Sequence, residues 1–204
     1  MIRLERRPEP SRAWTAATPV LAVIATMIAG GIMFAALGKD PVAAIRLIFW
    51  DPLFNEQFAA FSRPQLLVKA GPLILIAIGL SLGFRAGIWN IGAEGQLYIG
   101  ALAATIAGVF LPVSSPFVAI PVLVLASFLG GGLWAAFSGW LKSRFGVSEI
   151  ITTIMMNYIA IFLVSYAVHH PLRDPQGYLP QSPPLRASAE LPVLLAKTRL
   201  HFGG

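Results

Sequence analysis

An all-α, polytopic membrane fold is predicted by three features of this 204-residue sequence. Charged residues make up 12 % of it and hydrophobic residues 56 %, whereas a soluble domain carries roughly 25 % charge. The mean hydropathy is +0.73, more apolar surface than one 21.9 kDa core can hide from water. Residues other than Asp, Glu, Lys and Arg gather in runs at 13–38, 70–84, 86–93, 95–141 and 150–172. The same composition excludes intrinsic disorder, and the lack of cysteine excludes disulfides, Cys-ligated metals and a thiol nucleophile. The net charge of +6 is no nucleic-acid signature, because the basic residues flank apolar runs instead of clustering with aromatics.

A helix crosses the hydrocarbon layer in about 20 residues, so the first run predicts a span near 19–37. Its leader holds Arg3, Arg6, Arg7 and Arg12, but the apolar part is too long for a signal peptide, so it is an uncleaved helix behind a 1–18 cytoplasmic tail. A second span, 66–84, tolerates Lys69 by snorkelling from its end. The run 95–141 would make a helix roughly 70 Å long, so it folds back at Leu111-Pro112-Val113-Ser114-Ser115-Pro116 into spans 96–111 and 117–140. A fifth span, 148–168, follows Lys142 and Arg144. The basic residues of the tail, Arg85, Lys142 and Arg144 outnumber Lys39, Arg46 and Arg63 in the first outer loop, which places the N terminus inside. Residues 39–64, with Phe49, Trp50, Phe54, Phe58 and Phe61, suit the membrane interface, and the Pro-rich segment 170–199 reads as an extended or capping outer loop.

Ionisable groups at membrane depth cost at least about 2.5 to 3.5 kcal/mol and so ask for a reason. Residues 83–96 hold four glycines with Arg85, Asn90, Glu94 and Gln96 between two apolar runs. That mixture predicts a broken or re-entrant helix lining a pathway, or else a short cytoplasmic loop. If 90–96 is helical, Asn90 and Glu94 share a face open to a polar ligand; alternatively Glu94 pairs with Arg85 or Lys142. In the last span Glu149, Thr153 and Asn157 recur at four-residue spacing, with Ser165 beyond them, as a polar stripe facing solute or a neighbouring helix. The series Gly79, Gly83, Gly87 and Gly131, Ala135, Gly139 predict packing faces. No GxSxG, HExxH or GxxxxGK[ST] motif is present, and His169-His170 lack a third ligand at helical spacing, so neither catalytic residues nor a metal or cofactor is expected.

The stretches LSLGFRAGIWNIGAEGQLYIGALAA (80–104), GVSEIITTIMMNYIAIFLVSYAV (146–168) and PLRDPQGYLPQSPPL (171–185) resemble the permease subunit of the ABC importers for nucleosides and simple sugars, in the branched-chain amino acid and ribose permease superfamily. The resemblance implies a plasma-membrane permease working with a second permease subunit, cytoplasmic ATP-binding subunits and an extracytoplasmic solute-binding protein. It puts Asn90, Gly92, Glu94, Gly95 and Gln96 beside the translocation path, with Asn157 on a facing helix and Trp89 or Tyr98 available for stacking on a nucleoside. It also implies that 19–168 is the N-terminal part of the permease domain, and that 169–204 is an extracytoplasmic loop leading to spans and an ATPase-docking loop beyond His201. Such a chain is expected not to transport alone; ATP-dependent uptake by vesicles holding only it and its ATPase would refute that. Two other expectations differ in kind. An ATP-independent channel or secondary carrier calls for an inverted second copy of 83–96, which the sequence does not display, and a noncatalytic membrane scaffold uses its polar stripe for assembly alone.

Overall fold

The computed structural model describes residues 11–111, 113–194 and 201. The Arg residues at 3, 6 and 7, Pro112 of the expected turn, and the end of the 170–199 segment lie outside the described residues. Five helices are long and apolar enough to cross a membrane: α1 (Arg12–Ala36), α4 (Glu56–Arg85), α5 (Ala93–Phe110), α6 (Pro116–Phe145) and α7 (Glu149–His169). Three short turns of helix precede α4, namely α2 (Pro41–Ile45), a π-helical turn (Arg46–Trp50) and α3 (Asp51–Phe54). No strand occurs among the described residues, only an isolated bridge between Val193 and His201.

The outward faces of these helices are apolar. Phe117 is 91 % exposed, Phe162 72 % and Leu133 70 %, a surface that water would not tolerate and lipid solvates. What is buried is small: Ala59, Ala119, Ser138, Thr153, Ala160 and Ala167, joined by Met156 and Leu172. Small residues let helices approach closely where lipid leaves no hydrophobic force to hold them together.

The chain forms two compact units, 1–66 and 67–204. In the first, α1 opens at Arg12, earlier than the expected start at Pro19, and runs through that proline. Just before the proline, Thr18 Oγ1 donates to Trp14 O at 2.6 Å. The helix stops where Gly38 takes φ +69° and the N–H groups of Gly38 and Lys39 reach back to Ala35 O and Phe34 O. Asp40 then caps α2 by accepting from Val42 N and Ala43 N, with Pro41 in the first turn. Phe58 and Phe61 belong to α4, which begins at Glu56 rather than near Leu66, so Lys69 stands inside a helix and not at its end.

In the second unit, α5 and α6 cross on glycine. A Cβ on Gly130 would stand 2.6 Å from Ala103 Cβ, one on Gly100 3.0 Å from Ser127 O, and one on Gly131 3.0 Å from Gln96 O. Of the expected packing glycines only Gly131 serves that purpose closely; a Cβ at Gly79 or Gly139 would meet nothing within 4 Å. Lys142 and Arg144 close α6 in its last turn, where cations suit the helix dipole. Residues 170–194 fold back over the α5–α6 turn. Ser188 Oγ donates to Val113 O at 2.7 Å, Leu185 lies over Gly108, and the backbone of Asp174 bonds Gln181 O at 2.8 Å.

Candidate functional site

The run Gly83–Gln96 is a helix break. Gly87 at φ +73° ends α4 in a Schellman turn, with Ile88 N donating to Gly83 O at 2.9 Å and Gly87 N to Phe84 O at 3.1 Å. Residues 88–92 are non-helical and α5 begins at Ala93. The condition for Asn90 and Glu94 to share a helix face is therefore not met. Asn90 Oδ1 instead accepts from Gly92 N at 2.8 Å, a local turn that leads the chain into α5.

A break strands peptide groups that a helix would have paired. Side chains of α7 take them up. Thr153 Oγ1 accepts from Ile91 N at 3.2 Å and donates to Glu149 O at 2.7 Å. Asn157 uses both ends of its carboxamide: Nδ2 donates to Ile91 O at 3.0 Å and Oδ1 accepts from Gly95 N at 2.8 Å. One turn before Thr153 on α7, Glu149 accepts from Lys142 Nζ at 2.6 Å and faces the backbone of Trp89. The four-residue spacing of Glu149, Thr153 and Asn157 thus becomes a ladder along the break. Ser165 is not on this face; its side chain is exposed, and the buried stripe continues through Ala160 and Ala167.

Two glycines let the backbones meet. A Cβ on Gly92 would lie 2.8 Å from Thr153 Cβ, and one on Gly95 would lie 2.7 Å from Asn157 Oδ1 and 3.0 Å from its Cα. The indole N–H of Trp134 on α6 borders the same spot, buried and with no hydrogen-bond partner among the described residues.

On its other side the break borders a cavity of about 410 Å³, lined by Ile76, Gly79, Leu80, Gly83, Ile88, Asn90, Ala93, Gln96 and Leu97. Two carboxamides, Asn90 and Gln96, supply its side-chain polarity, and none of the lining side chains is ionisable. Glu94 points elsewhere: it is exposed, pairs with the Tyr98 phenol one turn on, and forms no salt bridge with Arg85 or Lys142. Trp89 is 57 % exposed, its ring 5.3 Å from that of Phe84. The seven residues singled out in the sequence therefore occupy three environments. Gly92, Gly95 and Asn157 lie at the α7 brace, Asn90 and Gln96 at the cavity, and Trp89 and Glu94 on the surface. The apolar cavity wall and the Gly100–Gly130 crossing carry no mark in the sequence beyond ordinary apolar and small residues.

Apolar helices of membrane-crossing length, with a polar break beside an uncharged cavity in the second unit, define a multi-pass membrane protein with a solute-sized recess. The chain belongs to the family described as the branched-chain amino acid transport system permease component, which matches residues 63–199. Among its relatives, the glucose ABC transporter permease protein TsgB13 of Haloferax volcanii is 39 % identical over 198 residues, covering 95 % of this chain and 50 % of the relative. The guanosine ABC transporter permease protein NupP of Bacillus subtilis is 34 % identical over 188 residues, 91 % of this chain and 52 % of the relative. The nucleoside ABC transporter permease protein NupB of Lactococcus lactis is 32 % identical over 155 residues, 74 % and 40 % respectively. The chain thus spans about half the length of these relatives or less. No solved structure gives a significant match. Family and helices together make it a multi-pass protein of the plasma membrane.

Proposed function

We propose that the chain supplies part of the translocation path of an ATP-driven ABC importer for an uncharged polar solute of the nucleoside or simple-sugar class. The observation that carries this reading is the cavity beside the break, with two carboxamides and no ionisable lining side chain. Carboxamides both donate and accept, so they suit the hydroxyls of a sugar and the base edge of a nucleoside without demanding a charge. The relatives named for glucose, guanosine and nucleosides support the same solute class. In this reading Trp89, Asn90, Gly92, Glu94, Gly95, Gln96 and Asn157 stand beside the path, and Asn90 and Gln96 face solute directly. The work is done by partners: an ATP-binding subunit that hydrolyses ATP, a second permease subunit and an extracytoplasmic solute-binding protein. On the same reading residues 1–18 are a cytoplasmic tail and the segment from 169 is extracytoplasmic.

The test is reconstitution of the full-length permease with its ATPase, partner permease and binding protein in proteoliposomes, followed by uptake of labelled guanosine and glucose. ATP-dependent accumulation of either, lost in Gln96→Leu with normal protein in the membrane, is the expected result. Equilibration without ATP would move the assignment to a channel or secondary carrier. No uptake of either solute under both conditions would leave a scaffold role.

A further inference from the structure

We propose that Thr153 and Asn157 are positioning residues, which set the direction of Asn90 and Gln96 into the cavity by fixing the backbone of the break from behind. The proposal rests on the importer reading only for what the cavity holds; the bracing itself stands on geometry. Ile88 N closes the end of α4 on Gly83 O and Gly92 O accepts from Gln96 N, but the Ile91 peptide groups have no helical partner, and a buried one left unpaired costs about 1–3 kcal/mol. Thr153 takes the Ile91 N–H, and Asn157 takes both the Ile91 carbonyl and the Gly95 N–H, which α5 leaves free in its first turn. Both ends of the Asn157 carboxamide are thereby engaged, and neither Asn157 nor Thr153 lines the cavity. Asn90 and Gln96 do, and they flank the braced stretch in sequence: Asn90 precedes Ile91, and Gln96 follows Gly95.

Steric fit points the same way. Gly92 and Gly95 meet Thr153 and Asn157 too closely for any side chain, so the break has little room to slide along α7. A change on α7 is therefore felt at the cavity without any contact between α7 and solute.

These 204 residues hold no cysteine, so once any cysteine outside them is replaced by serine a direct measurement is possible in the full-length permease in membranes. Single cysteines are placed at Asn90→Cys and, as a control in the loop after α7, at Tyr178→Cys, whose parent side chain is fully exposed. The rate of modification by a small water-soluble methanethiosulfonate is read without solute, in the parent and with Asn157→Leu, Thr153→Val or Thr153→Ser. Positioning predicts that Asn157→Leu and Thr153→Val change the rate at position 90 by at least about threefold, the equilibrium factor that one net hydrogen bond represents. Thr153→Ser, which keeps the hydroxyl, retains the parent rate, and position 178 is unaffected throughout.

An unchanged rate at position 90 in both disruptive variants overturns the proposal. Should Asn157→Leu fail to accumulate, Thr153→Val and the near-isosteric Asn157→Asp, which lacks the donor to Ile91, decide on the same terms. Guanosine and glucose are then added as separate probes. Protection of Asn90→Cys but not of Asn157→Cys is expected, and equal protection at both would show direct contact and overturn the positioning role. Protection at neither Asn90→Cys nor Gln96→Cys counts against the importer reading for these solutes, while the solute-free rates still decide whether α7 positions the break.

Discussion

Gly79 and Gly95 look alike in the sequence, yet their surroundings are opposite. A Cβ at Gly95 would stand 2.7 Å from Asn157 Oδ1 and 3.0 Å from the Asn157 Cα, and a backbone atom cannot swing away. Gly95→Ala must push α5 off α7, and the expected cost is about 1–3 kcal/mol, the usual range for overpacking. A Cβ at Gly79 meets nothing within 4 Å, so Gly79→Ala removes the glycine penalty of a helix interior and should leave stability unchanged or raise it by up to about 1 kcal/mol. Thermal unfolding of the detergent-solubilised protein checks both, and equal melting points for the two variants would contradict the packing described. Asn157 makes the same point for a polar residue. Its place on a polar stripe is evident from spacing alone, but which backbone groups it binds depends on a chain break whose course no spacing encodes.

At the scale of elements, the five long helices were readable because each is an apolar run bounded by charge or proline, as with Pro116 at the start of α6 and Arg85 at the end of α4. Their ends were less so. α4 begins ten residues before the apolar stretch at Leu66, because Glu56, Gln57 and Arg63 are compatible with a helix that has already left the hydrocarbon layer, and hydropathy is blind to such an extension. The partners of each helix were not readable either, since Gly130, Gly131 and Gly132 are equivalent as letters and only helix rotation separates them. Gly130 meets Ala103 and Gly131 meets Gln96, whereas a Cβ on Gly132 meets nothing within 4 Å. Gly132→Leu should therefore be tolerated in a lipid-exposed position, while Gly130→Leu should wedge α5 from α6 and reduce the amount of folded protein in the membrane. Detergent-extraction yield and size-exclusion profile report the difference. The cap over this pair is a milder case. Ser188→Ala removes one hydroxyl bond to Val113 O and should cost about 1 kcal/mol, seen as a small loss in the same melting assay.

For the molecule as a whole, the second unit has two chemically different ends. Arg85, Lys142 and Arg144 stand where α4 and α6 finish and α7 begins, and the connections there are the short stretches 86–92 and 146–148. At the other end the segment after α7 mixes Arg173 and Arg186 with Asp174 and Glu190 and folds onto the α5–α6 turn. Short connections flanked by Lys and Arg are retained on the cytoplasmic side during insertion, whereas longer segments follow charge poorly. The orientation expected is therefore the break and the Lys142–Glu149 pair facing the cytoplasm, with the Pro-rich cap outside. Single cysteines at Ser143 and Tyr178 test this, since the 204 residues hold no other thiol and any cysteine outside them is first replaced by serine. Tyr178→Cys should react with a membrane-impermeant maleimide in intact cells, and Ser143→Cys only after permeabilisation or in inside-out vesicles. The reverse pattern would invert the molecule and put the break on the side from which a binding protein delivers solute. Reaction of both in intact cells would mean that α7 does not cross the membrane, and the importer reading would lose the path it needs.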